Sequence, residues 1–130
     1  RDAEAVGFLT LAISASSIWS VEAAATFLKL PIRHCRGIAT EVSDQIISSK
    51  LKSPVPYGKG KLAAIQSICG GLPLLALGDS FEKTDKEMLE KAGFGAVIQP
   101  ANLETLNRLR SIAPPHWFVI KPYTAEINIL

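Results

Sequence analysis

Leu74-Leu75-Ala76-Leu77-Gly78-Asp79-Ser80 decides how this chain is read. Four apolar residues in a row, with Pro73 at their entrance, spell a short strand covered on both faces, the kind found inside a parallel sheet. Gly78 lets the chain turn as it leaves the sheet, so Asp79 falls at the strand's carboxyl end. That is the end at which open α/β sheets bind ligands. A carboxylate there can hold a divalent metal, or it can simply close a turn or cap a helix. The flanking sequence weighs between these.

Upstream, Leu62, Ile65 and Ile68 recur at helical spacing behind Lys61, and Gly70-Gly71 ends the pattern just before the strand. Downstream, Asp85 can cap a helix running to Ala92. Residues 96–98 form a short apolar strand, and Leu103, Leu106, Leu109 and Ile112 mark another helix face. Residues 117–120, introduced by Pro114-Pro115, predict a last edge strand. Nearer the start, residues 7–13 read as a buried strand that breaks into Ser14-Ala15-Ser16-Ser17. A helix follows through Ile18, Val21, Ala25 and Leu28, stopped by Pro31. Residues 37–42 read as a strand, with residues 45–48 and 52–56 as a hairpin or excursion. Strands alternating with amphipathic helices predict an α/β fold with a mostly parallel sheet and helices on both faces.

The 130 residues suit one domain, residues 1–130, able to bury a core without disulfide or metal staples. A formal net charge of +2, with Lys and Arg scattered, supplies no basic stripe for nucleic acid. The apolar run at residues 6–13 is too short to cross a bilayer, and no signal peptide is legible. Cys35 and Cys69 lie in no metal or redox spacing and read as plain buried thiols in a reducing compartment. A cytoplasmic protein is the expectation.

Three features fall on one edge of such a sheet: the Ser14 turn, Lys61 at a helix start and Asp79 after a strand. A phosphoryl group needs hydroxyl or N–H donors, a cation, and usually a divalent metal held by carboxylates. Ser14, Lys61 and Asp79 match those needs in turn. Each also has a structural reading: Ser14 as a helix cap that Ser16 or Ser17 could equally supply, and Lys61 or Lys59 as a solvated lysine. Helix phase favours Lys61, because Ala64, Ile65 and Ile68 share its face. His34 and His116 read as structural or surface residues, and Trp19 and Trp117 as packing residues.

In these segments the chain resembles the later part of a haloacid dehalogenase-like (HAD) phosphatase of the phosphoserine phosphatase type. Leu9-Thr10-Leu11-Ala12-Ile13-Ser14-Ala15-Ser16 is similar to that family's second motif, Tyr57-Gly58-Lys59-Gly60-Lys61 to its third, and Gly78-Asp79-Ser80 with Asp85 to its fourth. The resemblance implies a HAD-like, Rossmannoid three-layer core. It also implies magnesium-dependent hydrolysis of a small phosphorylated metabolite through an aspartyl-phosphate. Ser14, Ala15 and Lys61 would bind phosphate, Lys61 and Asp79 would be catalytic, and Asp79 with Asp85 would hold Mg2+. Asp85 stands further behind Gly78-Asp79 than the family pattern has it, so Glu82 is an alternative ligand, and helix capping an alternative role for Asp85.

The family's nucleophile lies in an Asp-x-Asp motif, and no Asp-x-Asp occurs in this sequence. In relatives its strand runs centrally, between those of the second and fourth motifs. The resemblance therefore implies a core lacking that strand, inactive alone, with open edges on residues 7–13 and 74–77. The missing segment would come from the same parent chain or a separate one. A lid, which sets substrate choice in relatives, has no room between Ser14 and Lys61; a homodimer is compatible. The rival expectation is a non-catalytic binding or regulatory domain that has kept the fold without the nucleophile.

Overall fold

A computed structural model describes residues 2–121 and 127–129. Its elements in chain order are α1 (Asp2–Ala5), β1 (Ala12–Ser17), α2 (Ile18–Leu28), a 3-10 turn (Ile32–His34), β2 (Cys35–Ile38), β3 (Thr40–Ser43), β4 (Ile46–Leu51), α3 (Lys59–Cys69), β5 (Leu75–Gly78), α4 (Lys86–Lys91), β6 (Phe94–Ile98), α5 (Leu103–Ile112), β7 (Trp117–Ile120) and β8 (Ile127–Ile129). The architecture is mixed α/β with small, mostly parallel sheets.

β5, β6 and β7 are parallel neighbours, with Ala76 level with Gly95 and Gly95 level with Trp117. β8 adds antiparallel to β7, so residues 117–120 are an interior strand rather than the expected edge. A three-residue strand has too few alternations to be read from sequence. The register sorts the side chains into two faces. Ala76, Val97, Trp117 and Val119 share one face and form the main core with Leu89 of α4 and Leu106 and Leu109 of α5. α5 is fixed at its start by Asn102, whose side chain accepts the Thr105 N–H at 3.1 Å. The opposite face is bare at its large apolar residues in β5 and at the start of β6, while Ala96 there is buried. Leu75 is 61% exposed, Leu77 55% and Phe94 47%.

β1 and β2 form a separate parallel pair. The strand expected over residues 7–13 begins only at Ala12, opposite Cys35, because pairing requires a neighbour and β2 starts there. It continues through the hydroxyl run to Ser17, with a register shift between Ile13 and Ser17, while Phe8 and Leu9 stay exposed. α2 packs on this pair and buries Val21 and Ala25 against Cys35. β3 and β4 make a hairpin whose turn residues, Asp44 and Gln45, both have positive φ. That is the tight-hairpin geometry, and it places the hairpin a few residues earlier than the sequence indicates.

The β1-β2 pair and the four-stranded sheet have separate clusters of buried residues, which meet without the strands becoming one sheet. Leu11 and Ile13 pack against the cluster that contains Ala76 and Ile65, yet β1 pairs only with β2 and β5 only with β6. Each therefore keeps one backbone edge without a strand partner among the described residues.

Candidate functional site

The site is assembled where α3 begins and β5 ends. α3 starts at Lys59 behind Gly58, whose φ of 52° and ψ of −124° suit glycine alone. Helix phase then turns Lys61 inward with Ala64 and Ile65, leaving Lys61 7% exposed and Lys59 at the surface. An ammonium so buried needs a carboxylate partner, because leaving it unpaired would cost several kcal/mol, roughly 3–5. Asp85, only 3% exposed, is that partner: its Oδ1 accepts the Lys61 Nζ hydrogen bond.

The other oxygen of Asp85 holds the turn after β5. Oδ2 accepts the backbone N–H groups of Asp79 and Ser80, each at 3.1 Å. The Ser80 carbonyl in turn accepts the N–H groups of Lys83 and Asp85 at 3.1 Å, closing the 80–85 loop on itself. Gly78 is explained by this packing rather than by a sharp turn of its own. A Cβ there would lie 2.6 Å from Asp85 Oδ2 and 2.8 Å from its Cγ. Burial pushes the Asp85 carboxyl up, and the Lys61 ammonium with the Ser80 and Asp79 N–H groups outweighs it. The net direction is below the ordinary carboxylate value.

Asp85 stands at the N-cap position of α4 but makes no side-chain cap bond. Asp79, by contrast, is exposed, and its carboxylate makes no hydrogen bond or ion pair among the described residues. It is free to meet a ligand. Glu82, the alternative to Asp85, is drawn away to α5, where it forms an ion pair with Arg108, Nε to Oε1 at 2.5 Å.

Ser14 lies within β1 and accepts the Ser16 N–H at 3.1 Å. The cap of α2 is Ser17, which accepts the Ser20 N–H at 3.3 Å. β1 packs on α3, but no hydrogen bond joins Ser14 or Ala15 to Lys61, Asp79 or Asp85 among the described residues. Trp117 packs in the core and donates its indole N–H to the Leu89 carbonyl at 3.2 Å, whereas Trp19 is 52% exposed. His34 faces Glu4 at 3.6 Å, away from this site.

No group of three or more His, Cys, Asp or Glu residues among those described converges as a metal set. Magnesium, however, is commonly held by one or two carboxylates with waters and phosphate oxygens. Asp79 fits the share of a single carboxylate.

The sequence did not reveal that Lys61 and Asp85 are partners. The signal was present: a lysine in phase with buried Ala64 and Ile65 requires an acid nearby, and three carboxylates follow β5 within a few residues. Comparison with protein families, curated proteins and solved structures returned no match. Among the described residues no helix is long and apolar enough to cross a membrane.

Proposed function

We propose that this chain is the phosphate- and metal-binding part of a HAD-like, magnesium-dependent phosphatase that hydrolyses a phosphate monoester of a small metabolite. The observation that carries the proposal is the junction of α3 and β5. A buried, charge-paired Lys61 is tied through Asp85 to the turn that bears the unengaged carboxylate of Asp79. A cation and a free carboxylate at the end of a parallel strand are what phosphoryl transfer requires of a protein.

In this proposal Lys61, which has three N–H donors and gives one to Asp85, offers the remainder to phosphoryl oxygens. The Ser14 hydroxyl and the chain at Ala15 would complete the phosphate cradle from β1. Asp79 would hold Mg2+, which when bound neutralises charge on the phosphoryl oxygens. The nucleophile is assigned to a segment bearing Asp-x-Asp, since the sequence contains none. Among the described residues β1 and β5 each keep one edge without a strand partner, and Ile13 of β1 packs against the cluster that holds Ala76 of β5, which supports a strand seated between them. A cytoplasmic setting is in keeping with the free thiols of Cys35 and Cys69.

The absence of Asp-x-Asp from this sequence also favours a second reading, a binding domain that takes phosphate without hydrolysing it. Hydrolysis of p-nitrophenyl phosphate by this chain together with an Asp-x-Asp segment, supplied in the same chain or as a separate one, separates the two. Magnesium-dependent turnover abolished by Asp79→Ala is expected. Turnover that survives Asp79→Ala would remove the assignment, and phosphate binding without turnover would select the second reading.

A further inference from the structure

We infer that Asp85 is a positioning residue, not a metal ligand: one buried carboxylate fixes Lys61 relative to the turn carrying Asp79. The inference rests on the functional reading above for its significance, but not for its geometry. A carboxylate offers about four lone-pair sites. Oδ2 spends both of its own on the Asp79 and Ser80 N–H groups, and Oδ1 spends one on Lys61. The fourth lies on a side chain that is 4% exposed. Magnesium sheds water reluctantly and keeps several water ligands, for which so enclosed an oxygen leaves no room. Asp79, at the surface, has that room.

The arrangement couples two groups on different elements. Lys61 belongs to α3 and Asp79 to the loop after β5, and the Asp85 side chain hydrogen-bonds to both segments. Gly78 keeps the space that side chain occupies. Asparagine cannot reproduce it. Its single oxygen serves either the ammonium or the turn, and its NH2 group opposes whichever donor is left.

The test is carried out on the whole protein in EDTA, where a role confined to metal ligation leaves no trace. Lys61 is followed by reductive methylation read by mass spectrometry, with Lys59 and Lys86 as exposed controls, and the Asp79 and Ser80 amides by hydrogen exchange. In Asp85→Asn one of the two readouts rises about tenfold, the factor carried by a charge-assisted hydrogen bond. In Asp85→Ala both rise, while the control lysines stay unchanged. Should either variant fail to fold, Gly78→Ala displaces Asp85 without altering its charge and is expected to raise Lys61 labelling. Unchanged labelling and exchange in the folded variants would overturn the inference. Loss of the phosphatase assignment through a neutral Asp79→Ala result would leave these readouts, and the positioning role, standing.

Discussion

Replacing one hydrogen of Gly78 by a methyl group probes the centre of the site from its backbone side. In Gly78→Ala the new carbon would sit 2.6 Å from Asp85 Oδ2 and 2.8 Å from Asp85 Cβ and Cγ, well inside contact distance. Backbone carries one side of the clash, so Asp85 must move, and its bonds to Lys61, Asp79 and Ser80 lengthen together. Overpacking of this kind costs about 1–3 kcal/mol. With a urea m-value of about 1–3 kcal/mol/M, the unfolding midpoint should fall by roughly 1 M. The decisive measurement is a double-mutant cycle with Asp85→Gly, which removes every Asp85 atom named above. If the penalty arises from Asp85, Gly78→Ala on that background should cost about 0.5 kcal/mol or less, the size of a substitution that meets no special feature, so that the two positions couple by most of the penalty. An equal cost on both backgrounds would refute the reasoning, since it would trace the need for glycine to something other than this contact.

Other outcomes follow from the same geometry. The Asp85 carboxyl is held below its ordinary value of about 3.9, so its contribution to stability is complete above that pH and is lost as pH falls through the lowered value. The stability gap between the native chain and Asp85→Asn, measured from pH 6 to pH 2, should therefore narrow on the acid side; a gap independent of pH counts against it. On the bare face, Leu77→Ser should change stability by no more than about 0.5 kcal/mol, whereas Leu89→Ala, at a fully buried position, should cost about 2–5 kcal/mol. A large loss for Leu77→Ser would mean that this face is covered in solution. Cys69, expected from the sequence to be buried, is exposed at the last position of α3 and should react readily with a thiol reagent. Cys35 is 2% exposed, and burial raises its thiol pKa against a smaller lowering by Arg36, so it should react only on unfolding. Equal rates for the two would contradict the packing of α2 on β2.

The sequence carried the kinds of element more surely than their pairing. Periodicity marked α2, α3 and α5, because burying one helix face leaves a repeat that needs no knowledge of the partner. The run at residues 74–77 marked β5 for a similar reason, and Gly78-Asp79 placed an acid at its end. Pairing is not local. Residues 7–13 look as apolar as residues 74–77, yet only the part opposite β2 becomes strand. Residues 117–120 were read as an edge because β8 is too short to show a period.

The site divides along the same line. Sequence alone determined that Lys61 shares a face with Ala64 and Ile65, that Asp79 follows a buried strand, and that Asp-x-Asp is absent, since each is a matter of spacing or identity. It left Asp85 undecided between a metal ligand and a helix cap. Tertiary structure decided that Asp85 turns away from the α4 N-terminus to meet Lys61, 24 positions back, and the N–H groups of the β5 turn. The physical reason is electrostatic. A buried ammonium must find a carboxylate, and which carboxylate lies within reach depends on how α3 packs beside β5, a distance that no local pattern encodes.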